Sequence, residues 1–327
     1  MREGDGIMKF AFLLLATGSW LLAAVEGTVV NATTGKPQSG AIVMLMQPGA
    51  QGMQTLGNVK SDAEGKFRID KEIPPGPAIL QAIYQGATYN LVLPPGTPAS
   101  GVQIKVYDST AKPGVAKVSQ HMILVEPSAT SLDISETFLI ENETATTFQD
   151  PVKGSIQFYL PEGAGGKVSV TINSPGGMPI QRSADKTTEP NVYKISYPVK
   201  PGESRFDVSY SLPASDTFAS KILHAEGVTR LVTPGSVTLE GEGIEAMGQE
   251  PQTKAHIYNA GAEYSVKITG TGSLRNQEAA APEEDTGESN DLKEGPARVY
   301  TRMYWVLGLA FAILGLGGVL LYRKSVV

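Results

Sequence analysis

The sequence contains no cysteine. That excludes disulfides, thiolate nucleophiles, zinc–thiolate centres and lipid attachment at cysteine. An exported chain without disulfides suits a bacterial envelope better than a eukaryotic secretory pathway. Histidine is nearly as scarce. His121, His224 and His256 stand far apart, and none sits in an H-x-x-E pair or another metal-type or triad-type local motif. There is no G-x-S-x-G elbow and no dinucleotide fingerprint between a strand and a helix. Gly35-Lys36 lacks the phosphate-loop spacing and is followed by Pro37. Charged residues are only 18% of the chain, the net charge is −6, and Lys and Arg nowhere cluster, which argues against a nucleic-acid partner. These absences predict no cofactor, no metal and no catalytic centre. The carboxylates Glu162, Asp185, Glu189, Glu240 and Glu242 could pair across loops as in a glycosidase, but any sheet surface offers as much.

Glycine and proline are well represented, with 36 and 22 residues among 327. Together with few charges, that composition suits many short strands joined by tight turns. Two apolar runs frame the chain. Phe10 to Val25, behind Lys9, has the length of a signal-peptide core. Residues 1–24 are therefore expected to form a signal peptide, with Met8 an alternative start and cleavage after Ala24. Met303 to Tyr322 holds twenty residues without a charge, opened by Tyr304-Trp305 and closed by Tyr322-Arg323-Lys324. Such a segment spans about 30 Å as a helix and carries interfacial aromatics at both ends, so it predicts a transmembrane anchor. Residues 323–327 are left as a cytoplasmic tail. The flanking charges are balanced, and the export signal sets the orientation, with residues 27–302 outside. Gly308, Ala312 and Gly315 share one helix face and would allow close helix pairing.

Residues 25–112 read as one β-sandwich. Strands are expected at Gly27–Asn31, Ala41–Met46, Phe67–Asp70, Ile79–Tyr84, Thr88–Leu93 and Val102–Tyr107, with a loop at 49–57 and a hairpin turn at Gln85-Gly86. Ala41–Met46 is apolar on both faces and is expected to be buried on both. Asp62 and Glu64 belong to a turn, because the further ligands of a calcium loop are missing.

The pieces Glu26-Gly27-Thr28-Val29-Val30-Asn31, Thr34-Gly35-Lys36-Pro37, Ala41 to Leu45, Ser61-Asp62-Ala63-Glu64-Gly65-Lys66-Phe67, Pro75-Gly76 and Leu80-x-Ala82-x-Tyr84 resemble, in order and spacing, a carboxypeptidase regulatory-like domain. The resemblance implies a transthyretin-like, prealbumin-type sandwich over about eighty residues. In metallocarboxypeptidases this domain accompanies a zinc peptidase, and nothing in this sequence supplies one.

Residues 115–270 read as a second, larger sandwich of immunoglobulin-like type, with His121 in its first strand. Phe206, Val208, Tyr210 and Leu212 alternate with polar residues, so one face of that strand is buried. Ile134, Phe138 and Ile140 alternate less regularly, which allows a bulge. Residues 271–298 form an acidic linker with seven carboxylates and one Lys between Asn276 and Glu294, a composition that cannot bury enough surface to order itself.

The expected protein is thus all-β: two consecutive sandwiches, transthyretin-like then immunoglobulin-like, on one membrane helix. It is expected at the cell membrane with its bulk periplasmic or extracellular. Its work would be non-catalytic scaffolding or capture of a protein partner through loops and sheet edges. One alternative is a carbohydrate-binding module presenting Tyr84, Tyr89, Tyr193, Tyr197 and Tyr210 to a polysaccharide. Another is an accessory subunit of an envelope transport or assembly complex. Asn31 and Asn142 fit the N-glycosylation pattern, by coincidence if the source is bacterial.

Overall fold

The computed structural model describes residues 24–50 and 52–274. The expected signal peptide, the acidic linker from 275 onward and the membrane helix at 303–322 lie outside the described residues. No helix among the described residues is long and apolar enough to cross a membrane. The described chain is all-β, its one helical element a single 3₁₀ turn at Glu162–Ala164.

The first sandwich has strands β1 (Val25–Asn31), β2 (Lys36–Pro37), β3 (Ile42–Gly49), β4 (Gly52–Lys60), β5 (Lys66–Ile69), β6 (Ala78–Tyr84), β7 (Ala87–Leu93) and β8 (Val102–Val106). One sheet joins β2 and β5 to one side of β1, with β8 parallel to its other side; the second runs β4-β3-β6-β7. Period-2 alternation turns Val25, Val29, Phe67, Ile69 and Ile104 of one sheet onto Val43, Leu45, Leu80 and Leu93 of the other, and these form one core. Each such buried side chain contributes about 1.5–3 kcal/mol. The hairpin turn falls at Gln85-Gly86 as expected, both residues with positive φ, joining Tyr84 to Ala87. Two expectations fail. Residues 52–60 form a strand and not a loop, because β4 pairs with β3 along its length. β3 is buried on one face only: Val43 and Leu45 are buried while Ile42 is exposed, since β3 sits in a two-layer sandwich with solvent behind it.

A short β9 (Ser109–Thr110) leads to the second half. There follow β10 (Lys117–Pro127), β11 (Ser131–Asn142), β12 (Thr147–Phe148), β13 (Ile156–Tyr159), β14 (Ser169–Asn173), β15 (Ile180–Arg182), β16 (Asp185–Lys186), β17 (Val192–Ile195), β18 (Gly202–Pro213), β19 (Thr217–Lys221), β20 (Val228–Thr233), β21 (Thr238–Gln249) and β22 (His256–Thr269). Nine of them make one sheet in the order β15-β14-β18-β11-β10-β20-β22-β19, with β21 along the other side of β22. A three-stranded sheet, β13-β17-β16, contributes Ile156, Phe158, Tyr193 and Ile195 to the same core as Phe138, Phe206 and Leu231. The two layers are therefore far from equal in size. The irregularity expected in β11 is absent: Leu132, Ile134, Glu136, Phe138 and Ile140 all face inward, and the bulge sits across from them, at Ser119 of β10. β19 ends at Lys221, short of His224, and β21 and β22 are long strands of twelve and fourteen residues.

The two cores belong to one compact unit. β9 pairs with β12. The Tyr89 hydroxyl bonds the Thr147 hydroxyl at 2.8 Å and donates to the carbonyl of Tyr107 at 3.0 Å. The buried Asn31 amide donates to Asp108 Oδ1 at 2.7 Å, and the equally buried Asn142 amide donates to the carbonyls of Thr146 and Val199. Both candidate glycosylation nitrogens are thus consumed inside the fold.

Candidate functional site: a buried His–Glu–His–Tyr row

The inner face of the nine-stranded sheet carries one polar row. His121 on β10 and Glu136 on β11 are diagonal cross-strand neighbours, since His121 pairs with Phe138 and Ile123 with Glu136. Tyr210 on β18 is diagonal to Glu136 in the same sense, opposite Ile134. Thr229 on β20 lies opposite His121, and His224 enters from the loop before β20. Alternation puts all of these strand residues on one face, so the row follows from register once the strands are ordered.

His121 and Glu136 are 3% and 4% exposed, values that demand complete hydrogen bonding. His121 Nε2 lies 3.0 Å from Glu136 Oε2, and the Tyr210 hydroxyl donates to Glu136 Oε1 at 2.8 Å. His121 Nδ1 lies 3.0 Å from His224 Nε2, and His224 Nδ1 lies 2.6 Å from the Glu226 carbonyl oxygen. The His121 ring stacks on Phe138, centroids 3.9 Å apart.

The tautomers follow from what each partner can do. A carbonyl only accepts, so His224 Nδ1 donates to Glu226. In a neutral His224 ring, Nε2 is then the acceptor, and His121 Nδ1 donates to it. One further proton lies between His121 Nε2 and Glu136, making either an imidazolium–carboxylate pair or a neutral His–carboxylic acid pair. Burial first, and then the neighbouring His121, push the His224 pKa below its ordinary value, consistent with a neutral ring. Burial first, and then the charge of Glu136, hold the Tyr210 hydroxyl well above the ordinary tyrosine range, so it stays a donor.

His224 borders a cleft of about 460 Å³, across which Lys117 and Glu226 pair at 3.3 Å. Yet all four ring nitrogens of the row are occupied. The Thr229 hydroxyl reaches His224 Nε2 only at 3.5 Å, at an atom already bonded to His121. Every ring nitrogen of the two histidines thus has a partner inside the fold, and none is left to face the cleft. Among the described residues no group of three or more His, Asp and Glu is arranged to hold a metal ion.

The three histidines stand isolated in the sequence. The fold brings two of them together, and no local spacing signals this. His256 lies elsewhere, its Nδ1 2.9 Å from the Val237 carbonyl. Glu162, Asp185, Glu189, Glu240 and Glu242 are all exposed, and Glu240 and Glu242 share β21. Asp62 accepts from the amides of Glu64 and Lys66, as its turn requires. Of the five tyrosines, Tyr89, Tyr193 and Tyr210 are buried. Tyr84 and Tyr197 are half-buried, with hydroxyls bonded to Asp108 and Ser174. Three of the five rings are thus closed to a sugar, and two are half-open.

No protein-family model matches the chain, and no curated protein matches it. Among solved structures, the M1 zinc metallopeptidase of Deinococcus radiodurans superposes with a TM-score of 0.25 and 11% identity, over 46% of this chain and 42% of that one. A mutant of that enzyme bound to a Tyr-Ser-Ala substrate gives 0.27 and 12%, over 47% and 43%. The chain spans less than half the length of these enzymes, and so partial a superposition leaves the reading to this chain's own residues.

Proposed function

We propose that the chain is a non-catalytic, membrane-anchored module of the cell envelope that binds a protein partner through its loops and sheet edges. The first sandwich is read as carboxypeptidase regulatory-like and transthyretin-like. The second is read as an immunoglobulin-like sandwich enlarged on one sheet. Residues 303–322 are the anchor and 271–298 the tether, with the export signal at 1–24 placing the bulk outside the cytoplasm. The observation that carries the reading is the closure of the His121–Glu136–His224 row. The side chains best suited to chemistry are spent on one another, while long sheet edges face solvent. β21 is the clearest of these edges, with Leu239 its one buried residue.

The test is a pull-down of the tagged full chain from gently solubilised membranes, with mass spectrometry of what accompanies it. One reproducible protein near equal amount is the expected result. Background alone, combined with hydrolytic activity on a peptide or glycan panel, would refute the reading.

A further inference from the structure

The two sheets of the first sandwich part along β7 and β8, each an edge strand, and the loops of the second half close over the gap. A groove of about 300 Å³ remains there. Asn90 lines it from β7, Gln103 and Lys105 from β8, and Lys200 from between the second-half strands β17 and β18. Lys200 is only 5% exposed. Its Nζ donates to the Thr88 carbonyl at 3.1 Å and lies 5.9 Å from the centre of the Tyr89 ring. An ammonium has three hydrogens to donate. Among the described residues no carboxylate ion-pairs with Lys200.

Burying a cation without a counter-charge is unfavourable, and burial accordingly lowers the Lys200 pKa. Lys105 adds an exposed cation on the same wall, and no acidic residue lines the groove. In a chain of net charge −6 this is a local reversal of sign.

We propose that this seam receives an extended acidic peptide segment of a partner protein, with one carboxylate on the Lys200 ammonium and the backbone along the outer edge of β8. Charge complementarity selects the anion. Two edge strands, each paired on one side only, supply main-chain groups for an extended chain. The Tyr89 ring is buried and Tyr107 half-buried, so the groove lacks the stacking face a saccharide would use. This deepens the partner-binding reading above and rests on it.

The test uses the full chain in detergent, titrated with fluorescein-labelled oligoglutamate, with oligoglutamine and oligogalacturonate of equal length as comparisons. Oligoglutamate is expected to bind and oligoglutamine not to bind. Lys200→Gln should weaken binding at least about thirtyfold, as loss of a buried charge partner does. Lys105→Gln should weaken it about threefold. Lys200→Arg, which keeps the charge, should retain binding and guards against a mere folding defect.

Oligogalacturonate binding that depends on Lys200 overturns the peptide assignment. Oligoglutamate binding that is indifferent to Lys200 and Lys105, or absent, overturns the site. The same pull-down with Lys200→Gln separates the two readings. A partner recovered equally well refutes the groove and leaves the module standing. No partner from the unsubstituted chain, with no oligoglutamate binding, refutes both.

Discussion

His121 Nδ1 meets His224 Nε2 at 3.0 Å across 103 residues of sequence, and the bond has one direction, from His121 to His224. The direction is set by the Glu226 carbonyl, which accepts from the single N–H of the neutral His224 ring. A doubly protonated pair would point two N–H groups at each other, so acid breaks this contact.

The pH dependence follows from the lowered His224 pKa. A folded-state value below the unfolded one means the unfolded chain takes the proton first. The contribution of His224 is whole above the ordinary histidine pKa of about 6.5 and is lost as pH falls through the depressed folded value, so the window lies just below the ordinary histidine range. Melting curves across that window should show the unsubstituted protein losing more stability than His224→Gln. Parallel curves would contradict the assignment.

Glu136→Leu leaves His121 buried beside an apolar group and removes the acceptor of Tyr210. Urea unfolding should show a loss of about 3–5 kcal/mol. The double change His121→Phe with Glu136→Leu should lose less than the sum of the two single changes, because Tyr210 and His224 lose their partners in either case while His121 and Glu136 no longer strand each other. Strict additivity would show that the pair is not coupled.

Gly65 and Gly35 share a positive φ but not the same surroundings. A Cβ at Gly65 would lie 2.8 Å from the Val29 carbonyl and from Pro37, whereas one at Gly35 meets nothing within 4 Å. Gly35→Ala should cost about 1 kcal/mol, the strain of the left-handed backbone alone. Gly65→Ala should cost about 3 kcal/mol or more by chemical denaturation. Equal losses would mean the close approach is relieved without cost.

Tyr89→Phe removes the hydroxyl shared by the Tyr107 carbonyl and Thr147 across the two halves. It should cost about 1–2 kcal/mol. The two halves of the unsubstituted protein should melt in one transition, and calorimetry that resolves two would contradict the interlock.

The legible parts of the fold were those with a local signature. The Gln85-Gly86 hairpin, the Asp62 to Lys66 turn and the alternation of Phe206, Val208 and Tyr210 each rest on a few adjacent residues. β4 has no such signature, because Gly52 to Lys60 is an edge strand with two glycines and little buried surface, so no alternation marks it. β21 carries no readable signature beyond Leu239, because Gly241, Gly243 and Gly248 with their bulges, and glutamates on both sides, erase the period. The polar row was hidden for a different reason. β10 pairs in parallel with β20 about a hundred residues later, a register no local spacing encodes. One trace was nonetheless present. The apolar pattern of β11 looked irregular because its third inward position is Glu136, and a carboxylate on a core face is itself the signal of a buried partner.

The ring nitrogens of His121 and His224 are closed to outside ligands, each bonded within the fold. Long-range ¹H–¹⁵N correlation spectra of histidine-labelled full chain at neutral pH, with and without added Zn²⁺, test it most directly. His224 should be protonated at Nδ1 with Nε2 as acceptor, and the signals of both rings should be unmoved by zinc. An Nε2-protonated His224, or zinc-dependent shifts at both rings, would contradict it and return the row to the class of metal or catalytic centres.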